Sequence, residues 1–270
     1  MFFSENHKLI LENGLYRSIE TEELSYPEDG YDNCFQIEDN SFWFKHRNKC
    51  IYAVIRKFAK EKVFFDVGGG NGYVSKYLQD NGLDVYLTEP AWAGILNARK
   101  RGVKNLINSS LDENFRDESI PNIGIFDVLE HIENDIEFLR NINNKLKTEG
   151  LLFLSVPAYS FLWSNADKEA GHFRRYTLRG LNKKLFSTNY KVVYSTYIFS
   201  ILPLPIFIFR TLPSFFFKSK NKQKRAEGRD HKIKGQKSLI EKFFDMELTA
   251  IQKKRKIVFG GSCLIVAQKK

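Results

Sequence analysis

The chain has 270 residues, of which 43% are hydrophobic, and a formal net charge of +10. This length suits one large domain, or one domain with a cap, and is ample for a buried core. Three scattered cysteines (Cys34, Cys50 and Cys263) exclude a disulfide framework and a cysteine-based metal cluster, and no metal site is predicted. The first residues lack a sustained apolar run, which predicts no signal peptide and favours a reducing, cytoplasmic setting.

The first predicted strand, residues 63–67, ends in a glycine-rich turn. Its apolar run includes Asp66, and a helical pattern begins at Tyr73. Every second residue of the turn between them is a glycine: Gly68, Gly70 and Gly72. Glycine is needed where the backbone takes a positive φ or lets a ligand touch it. The turn therefore predicts a ligand site at the carboxyl end of this strand.

The glycine spacing separates two classes of ligand. In a dinucleotide fingerprint the third glycine would stand at Tyr73 or at Ser75, and neither fits. The pattern Asp66-x-Gly68-x-Gly70-x-Gly72 instead resembles motif I of the class I S-adenosylmethionine-dependent methyltransferases, whose ligand carries no pyrophosphate. Residues 1–48 would then form a lid over the cofactor.

A second predicted strand, residues 84–88, ends at Glu89. In a doubly wound sheet an acid at this position can accept hydrogen bonds from both ribose hydroxyls. A helix is predicted next, followed by a third strand at residues 104–108. The resembled family keeps an acid after this third strand that contacts the adenine amino group. This chain has Ser110 there, so Asp112 or backbone groups would make that contact.

The fourth predicted strand, residues 122–128, leads into Val128-Leu129-Glu130-His131-Ile132. Many small-molecule members of the resembled family carry a similar run. Enzymes that methylate exocyclic amines of bases usually show Asn/Asp-Pro-Pro-aromatic here, and those that attack pyrimidine carbon five use a cysteine after a proline. Neither pattern stands at these positions, which disfavours nucleic-acid bases as acceptors.

A second motif follows the fifth predicted strand, residues 151–156. It is Gly171-His172-Phe173-Arg174-Arg175-Tyr176. Together with residues 41–48, it resembles a bacterial subgroup of these methyltransferases that is often found with cell-surface polysaccharide or lipid pathways. As a set these motifs are specific, and they identify the cofactor better than the substrate.

The resemblance implies an α/β, doubly wound, Rossmann-like sheet of seven strands. The sixth strand is predicted at residues 190–198, and the last, at 256–267, would pair antiparallel between strands five and six. The core would comprise residues 49–199 and 256–270. Residues 200–255 would form a long insertion that ends in an amphipathic helix.

An apolar segment and a basic one adjoin in this region. Residues 197–217 are rich in Phe, Ile and Leu, and residues 218–237 hold nine Lys or Arg against Glu227 and Asp230. This order favours an anionic membrane surface over a nucleic-acid groove. Three prolines argue against a membrane-spanning helix, while a substrate cap or a dimer face remains the alternative.

The resemblance also assigns roles to single residues. The cofactor, S-adenosylmethionine, would be held by Asp66, Gly68, Gly69, Gly70, Asn71, Gly72, Glu89, Pro90, Ser110, Leu111, Asp127 and Val128. The substrate would meet Trp43, Arg174, Arg175 and Tyr176. The two arginines could clamp a phosphate or carboxylate, or one of them could pair internally with Asp167 or Glu169. Neutral imidazole can accept a proton at cellular pH, so His131 and His172 are the candidate catalytic bases, although each could instead hold its loop.

The predicted function is methyl transfer from S-adenosylmethionine to an oxygen of a small-molecule or lipid-linked substrate. The enzyme would be cytoplasmic, with the inner face of the membrane as a candidate partner surface. Two alternatives stay open. One is a nucleic-acid methyltransferase or RNA-binding protein, which only the basic charge favours. The other is a non-catalytic, membrane-associated scaffold that retains the fold.

Overall fold

The computed structural model describes residues 2–12, 14–18, 28–216 and 237–270, and the strands in these ranges form one sheet. In chain order the strands are β1 (Ile10–Glu12), β2 (Leu15–Arg17), β3 (Val63–Val67), β4 (Asp84–Thr88), β5 (Asn105–Asn108), β6 (Ile120–Phe126), β7 (Leu146–Pro157), β8 (Tyr190–Ile198) and β9 (Ser262–Lys269). The helices are α1 (Glu28–Glu38), α2 (Phe42–Phe58), α3 (Tyr73–Asp80), α4 (Trp92–Lys100), α5 (Asp135–Lys145), α6 (Asn165–Glu169), α7 (Leu178–Ser187), α8 (Pro203–Ile206), α9 (Leu212–Phe216) and α10 (Lys237–Gln252).

The centre of the sheet is parallel, and both of its margins are antiparallel. The strand order is β1-β2-β5-β4-β3-β6-β7-β9-β8. Each neighbouring pair from β2 to β7 in this order runs parallel. β9 lies antiparallel between β7 and β8. The Rossmann-like α/β class and the antiparallel last strand are therefore confirmed.

The predicted count of seven strands is wrong, because the described residues contain a hairpin before the first predicted strand. β1 and β2 pair antiparallel, and β2 adds to β5. Each has three residues, too few for an alternating pattern, and Gly14 turns between them with a φ of +78°. The hairpin of β1 and β2 thus widens the sheet at one edge. A lid formed by residues 1–48 stays a prediction, and α1 and the start of α2 are the described helical segments within that range.

β3 is buried on both of its faces. Phe64 lies in a core that α2, α3 and α10 complete, Phe65 lies in a core that α5 and α7 complete, and both side chains are 0% exposed. Burying one phenylalanine side chain contributes about 1.5–3 kcal/mol relative to leaving it exposed. Since helices cover both faces, a ligand can reach this strand only at one of its ends, and in α/β sheets ligands bind at the carboxyl end.

The segment between β8 and β9 contains the predicted amphipathic helix as α10. Residues from Pro203 to Phe216 are helical throughout, with a π-helical turn at Phe207–Thr211. All but the last residue of the basic run 218–237 lies outside the described residues. Of the helices in the described ranges, none combines the length and hydrophobicity that crossing a bilayer requires.

The last strand begins later than predicted. The prediction places it at residues 256–267, whereas β9 spans Ser262–Lys269. The reason is the close approach of Gly260 to the end of β8, where an added Cβ would lie 2.3 Å from the carbonyl oxygen of Ile198. The chain crosses the end of β8 at this point, and its antiparallel pairing with β7 and β8 starts only afterwards.

Glu247 of α10 fastens this helix to the core. Its carboxylate accepts hydrogen bonds from the backbone N–H groups of Phe199 (2.7 Å) and Ser200 (2.8 Å), and lies 2.7 Å from Nε2 of His46 on α2. Burial alone would raise the pKa of Glu247, but His46 and the two N–H groups lower it below its ordinary value. The carboxylate thus ties α10, α2 and the end of β8 together.

Replacing Glu247 with alanine should lower the free energy of unfolding by about 2–5 kcal/mol, because one buried and one partly buried N–H group lose their acceptor and His46 loses its partner. A carboxyl whose pKa is lowered in the folded state stabilises the fold above its unfolded-state pKa of about 4.3, and this effect is lost as the pH falls through the folded-state value. The difference between variant and parent should therefore shrink in acid, and urea unfolding at about pH 7 and about pH 3.5 measures it.

The matched control is Glu241→Ala, at an exposed position of the same helix. It should change the free energy of unfolding by less than about 0.5 kcal/mol. If both variants lose the same stability, the role given to Glu247 is wrong.

Candidate functional site

The loop between β3 and α3 presents bare backbone to open space. Gly68, Gly70 and Gly72 take positive φ values of +68°, +52° and +73°. A Cβ added at Gly70 would meet no atom within 4 Å, whereas one at Gly68 would lie 2.9 Å from the side chain of Val128. Gly70 is therefore a position at which a ligand can touch the backbone, while Gly68 allows the loop to pack closely.

Glu89 follows β4 and reaches back to this loop. Its carboxylate accepts hydrogen bonds from the backbone N–H groups of Gly70 (2.9 Å) and Ala91 (2.9 Å) and from the hydroxyl of Tyr31 (3.1 Å). Tyr31 belongs to α1, and its carbonyl accepts a hydrogen bond from Nδ2 of Asn71 at 2.7 Å. Burial raises the pKa of Glu89, and the three neutral donors oppose that rise. The loop, α1 and this carboxylate thus form one connected group.

Asn108 at the end of β5 fixes the turn after β4. Its Nδ2 donates to the carbonyl oxygens of Glu89 (3.0 Å) and Pro90 (2.8 Å). Ser110 and Leu111, the predicted neighbours of adenine, come directly afterwards. Because β4 and β5 are parallel, these residues reach the same sheet edge as Glu89. Leu111 is buried in the core and Ser110 is partly exposed.

Asp66 is buried beneath the glycine loop. It is 1% exposed, and the hydroxyl of Ser75 donates to its carboxylate at 2.6 Å. Burial raises the pKa of Asp66 to about 6, although Ser75 and the positive charge of Arg47 oppose the rise. Asp66 therefore joins β3 to α3 and places a titratable group under the loop.

Arg47 on α2 is a site residue that the sequence pattern does not single out. It is buried, its guanidinium donates to the carboxylate of Asp127, and it lies over the rings of Trp43 (5.0 Å) and Phe44 (5.2 Å). Its Nε is buried and makes no hydrogen bond within the described part of the chain. A buried cation with a spare donor suits an anionic group of a ligand. The available signal is its position inside the motif at residues 41–48.

Asp127 and Val128 follow β6 at the same edge. Asp127 takes a φ of +57°, which is uncommon for a residue other than glycine. Its carboxylate accepts hydrogen bonds from Arg47 and from the hydroxyl of Ser155 at 3.2 Å. Backbone conformations of this kind persist where the surroundings hold them, and they cluster at functional sites.

Three ionisable residues meet just beyond the end of β6. Glu130 and His131 lie on a short 3-10 helix, Leu129–His131, and His172 lies in the loop after α6. The ring centroids of His131 and His172 are 4.7 Å apart in an edge-to-face arrangement. One oxygen or nitrogen atom of each of the three residues lies within 4.8 Å of the other two. The structure thus brings the two predicted catalytic histidines together and adds Glu130.

The surroundings of this cluster alter its protonation. Burial raises the pKa of Glu130 well above its ordinary value, and the charge of Asp127 adds to the rise. Burial, and then the neighbouring His172, lower the pKa of His131 to about 4, so this ring is neutral at cellular pH. A nitrogen with so low a pKa is a weak proton acceptor, which argues against His131 as a base on its own.

The arginine and tyrosine that end the motif at residues 171–176 hold its loop in place. Arg175 donates from Nε and Nη2 to the carboxylate of Asp167, at 2.7 and 3.1 Å, which is the internal pairing that the sequence left open. The hydroxyl of Tyr176 is buried 3.0 Å from the carboxylate of Asp135. Arg175 and Tyr176 therefore both direct polar groups into the fold, and their predicted contacts with a substrate stay a prediction.

Arg174 and Trp43 are partly exposed. Arg174 pairs with Asp135 at 3.1 Å and donates to the carbonyl of Glu133 at 2.7 Å. Trp43 stacks on Phe199, with ring centroids 5.1 Å apart and an interplanar angle of 8°. A substrate role for these two residues stays a prediction.

Comparisons with known proteins point to one family. A family model described as a methyltransferase domain matches residues 43–195. A SAM-dependent methyltransferase from Thermotoga maritima has a TM-score of 0.52 and 15% identity, over 90% of this chain and 96% of that chain. A chain of the Haloferax volcanii complex between the Trm112 methyltransferase activator and a methyltransferase has a TM-score of 0.57 and 15% identity, over 89% of this chain and 94% of that chain.

A third similar structure is phosphoethanolamine N-methyltransferase 2 of Haemonchus contortus in complex with S-adenosyl-L-methionine. Its TM-score is 0.57 at 13% identity, over 91% of this chain and 58% of that chain. No curated protein matches the sequence. At these identities the solved structures show a shared fold.

Replacing Asp66 with asparagine should make the stability of the unliganded protein less dependent on pH. The pKa of Asp66 is raised in the folded state, so its favourable contribution is complete below the unfolded-state value near 3.9 and is lost as the pH rises through about 6. Relative to the variant, the parent should lose about 1–3 kcal/mol of unfolding free energy between about pH 4 and about pH 7.5. Denaturant titrations across this range measure the difference.

Asp84→Asn, at an exposed position at the start of β4, is the control and should leave the pH dependence unchanged. A parent protein whose stability relative to the Asp66 variant stays constant over this range would refute the raised pKa.

Proposed function

The chain belongs to the methyltransferase domain family, and on that premise we propose that it transfers the methyl group of S-adenosylmethionine to an oxygen of a small-molecule or lipid-linked acceptor. The observation that carries this proposal is the hydrogen bond from the Gly70 N–H to the Glu89 carboxylate. It joins an acid at the end of β4 to a loop glycine that faces open space. In a doubly wound sheet this pairing suits a nucleoside, whose ribose hydroxyls the acid accepts.

The residues around the loop fit this cofactor in charge as well as in shape. Glu89 supplies a carboxylate for the ribose hydroxyls, and Tyr31 already occupies it with a hydroxyl of the same kind. The spare Nε donor of Arg47 suits the carboxylate of the methionine part, and Asp127 suits its ammonium group. The further residues proposed for this site are Asp66, Gly68, Gly69, Asn71, Gly72, Pro90, Ser110, Leu111 and Val128.

The acceptor position is proposed beside Glu130, His131 and His172. When bound, the cofactor would supply an electrophilic methyl carbon on a sulfonium sulfur, and a neutral thioether would be the leaving group when the acceptor oxygen takes the methyl group. The hydroxyl proton has to leave before or during this step. His131 and His172 are the catalytic residues proposed to assist the loss of this proton. The stacked rings of Trp43 and Phe199 supply apolar wall near Arg47, which suits the exclusion of water.

A lipid-linked acceptor is favoured by the apolar surface beside this position. The segment from Pro203 to Phe216 packs on α6, which precedes His172 in the chain, and the N–H of Asn165 at the start of α6 donates to the hydroxyl of Ser214 at 3.1 Å. Its outer face exposes large apolar side chains: Leu204, Ile208, Phe209 and Leu212. Such a face next to an acceptor site suits lipid chains or an anionic bilayer surface.

The two rival functions have less support. The nucleic-acid alternative rests on net charge, and the strongest basic run lies almost wholly outside the described residues. The scaffold alternative keeps the fold and the apolar face, and differs from an enzyme in lacking affinity for the cofactor. The measurement that follows separates it from the proposal.

Isothermal titration with S-adenosylhomocysteine should give micromolar binding that Glu89→Ala weakens by about 100-fold or more. Two hydrogen bonds to a charged acceptor are worth about 1.5–3 kcal/mol each, and about 2.7 kcal/mol corresponds to 100-fold. Circular dichroism checks that the variant is folded. Glu113→Ala, at an exposed acid after β5, is the control and should keep the parent affinity. If the parent protein is folded but does not bind S-adenosylhomocysteine, the proposal is refuted and the scaffold function is favoured.

Phe209→Asp should reduce binding to vesicles that contain phosphatidylglycerol by at least about tenfold at low salt, because it replaces an exposed apolar side chain with a charge of the same sign as the lipid. Vesicle sedimentation measures the bound fraction. Phe186→Asp on α7 is the matched control, since this ring is 71% exposed and that of Phe209 is 75% exposed. A parent protein that ignores the vesicles, or equal loss in both variants, would exclude this face as the lipid contact.

A further inference from the structure

The cluster beyond β6 brings together three side chains of types that bind metal ions. A carboxylate oxygen of Glu130 and one ring nitrogen each of His131 and His172 lie within 4.8 Å of one another. Two imidazoles and a carboxylate form a common ligand set of catalytic zinc and of other divalent transition metals, which keep further positions open for water or substrate. The sequence pattern does not indicate this set of ligands, because His172 lies far along the chain from the other two residues.

Glu130 supplies the second observation. Its side chain is 1% exposed, and Oε2 is buried with no hydrogen-bond partner within the described residues. A buried carboxylate oxygen without a donor is costly, by about 1–3 kcal/mol or more. The carbonyl of Glu130 accepts a hydrogen bond from the N–H of Phe173 at 2.8 Å, so the residue is held firmly while that oxygen stays available.

His172 is oriented as a metal ligand usually is. Its Nδ1 lies 3.1 Å from the carboxylate of Asp167, which leaves Nε2 as the nitrogen for a ligand. Asp167 is itself fixed, because it accepts hydrogen bonds from Arg175 and from the N–H of Ser164 at 2.8 Å. A carboxylate behind a histidine sets the tautomer and the direction of the ring, and this arrangement recurs in metalloproteins.

We propose that Glu130, His131 and His172 bind one divalent transition-metal ion, such as Zn²⁺ or Mn²⁺. The role of this ion rests on the proposed function. A cation with open coordination positions would bind the oxygen of the acceptor and lower the pKa of the acceptor hydroxyl, so that its proton would leave to water. The proposal also narrows the substrate class to molecules whose acceptor oxygen can reach a metal ion.

A second cluster in the described chain provides a contrast. His46, Cys50 and Glu247 also bring their donor atoms together. There, however, the carboxylate already accepts hydrogen bonds from the N–H groups of Phe199 and Ser200 and contacts His46. With its oxygens satisfied by the fold, this cluster serves as structure, and it should not take up the ion.

The test is metal binding by the full chain without cofactor or acceptor. After treatment with a chelator and dialysis, titration with Zn²⁺ alone, followed by elemental analysis, should show one ion per chain. Glu130→Gln keeps the shape of the side chain but cannot release a proton to offer a carboxylate to the ion, and it should weaken binding at least tenfold, as should His172→Ala. Cobalt(II) offers a second readout, since its visible absorption band should change in the same variants.

Two controls keep the result interpretable. Glu169→Gln changes an exposed acid near the same loop, and Cys50→Ser changes the second cluster; both should keep one ion at the parent affinity. The proposal is overturned if the parent retains no ion, or if Glu130→Gln binds as tightly as the parent. Binding of S-adenosylhomocysteine without metal binding would refute the metal site and leave the proposed function standing. Metal binding without binding of S-adenosylhomocysteine would support the metal site and refute the proposed function.

Discussion

Burial of β3 on both faces is the constraint on which the rest of the structure depends. Phe64 and Phe65 fill two separate cores, so helices must cover the sheet on each side. Polar side chains that contact a ligand are then expected at the carboxyl edge of the parallel strands. Glu89 lies just beyond β4, and Asp127 and Glu130 lie just beyond β6, which brings acids from distant parts of the chain to one line. The loops orient these groups, but the sheet decides where they stand.

Asp167 organises the other half of the site. Burial would raise its pKa, but His172 and Arg175 hold the pKa of this carboxyl well below its ordinary range. It anchors Arg175 with two hydrogen bonds and caps α6 through Ser164. Asp167 therefore contacts both His172 and Arg175 of the motif at residues 171–176 and holds the loop that carries them. An ion pair inside a loop and a clamp on a ligand use the same residue types, and only tertiary distances tell them apart.

The accuracy of the sequence predictions follows the strength of the local signal. The predicted limits of β3, β4 and β8 agree with the structure because each is an apolar run bounded by glycine, charge or a turn. The hairpin at Ile10–Arg17 has three-residue strands and leaves no periodic pattern. Arg47 is one of several basic residues on an amphipathic helix, and its burial depends on the position of α2 relative to Asp127, which follows β6. The spare oxygen of Glu130 could not be foreseen, since it requires the positions of all its neighbours.

The place of β9 in the sheet governs when the described sheet can be completed during translation. It follows every other described strand along the chain, yet it lies between β7 and β8 and pairs with both. Until Ser262–Lys269 has left the ribosome, β7 keeps one unpaired edge and β8 has no partner among the described strands, and such edges invite pairing with other chains. Between the synthesis of β8 and that of β9 the nascent protein therefore carries unpaired strand edges, and β9 is the described strand that fills the gap between β7 and β8.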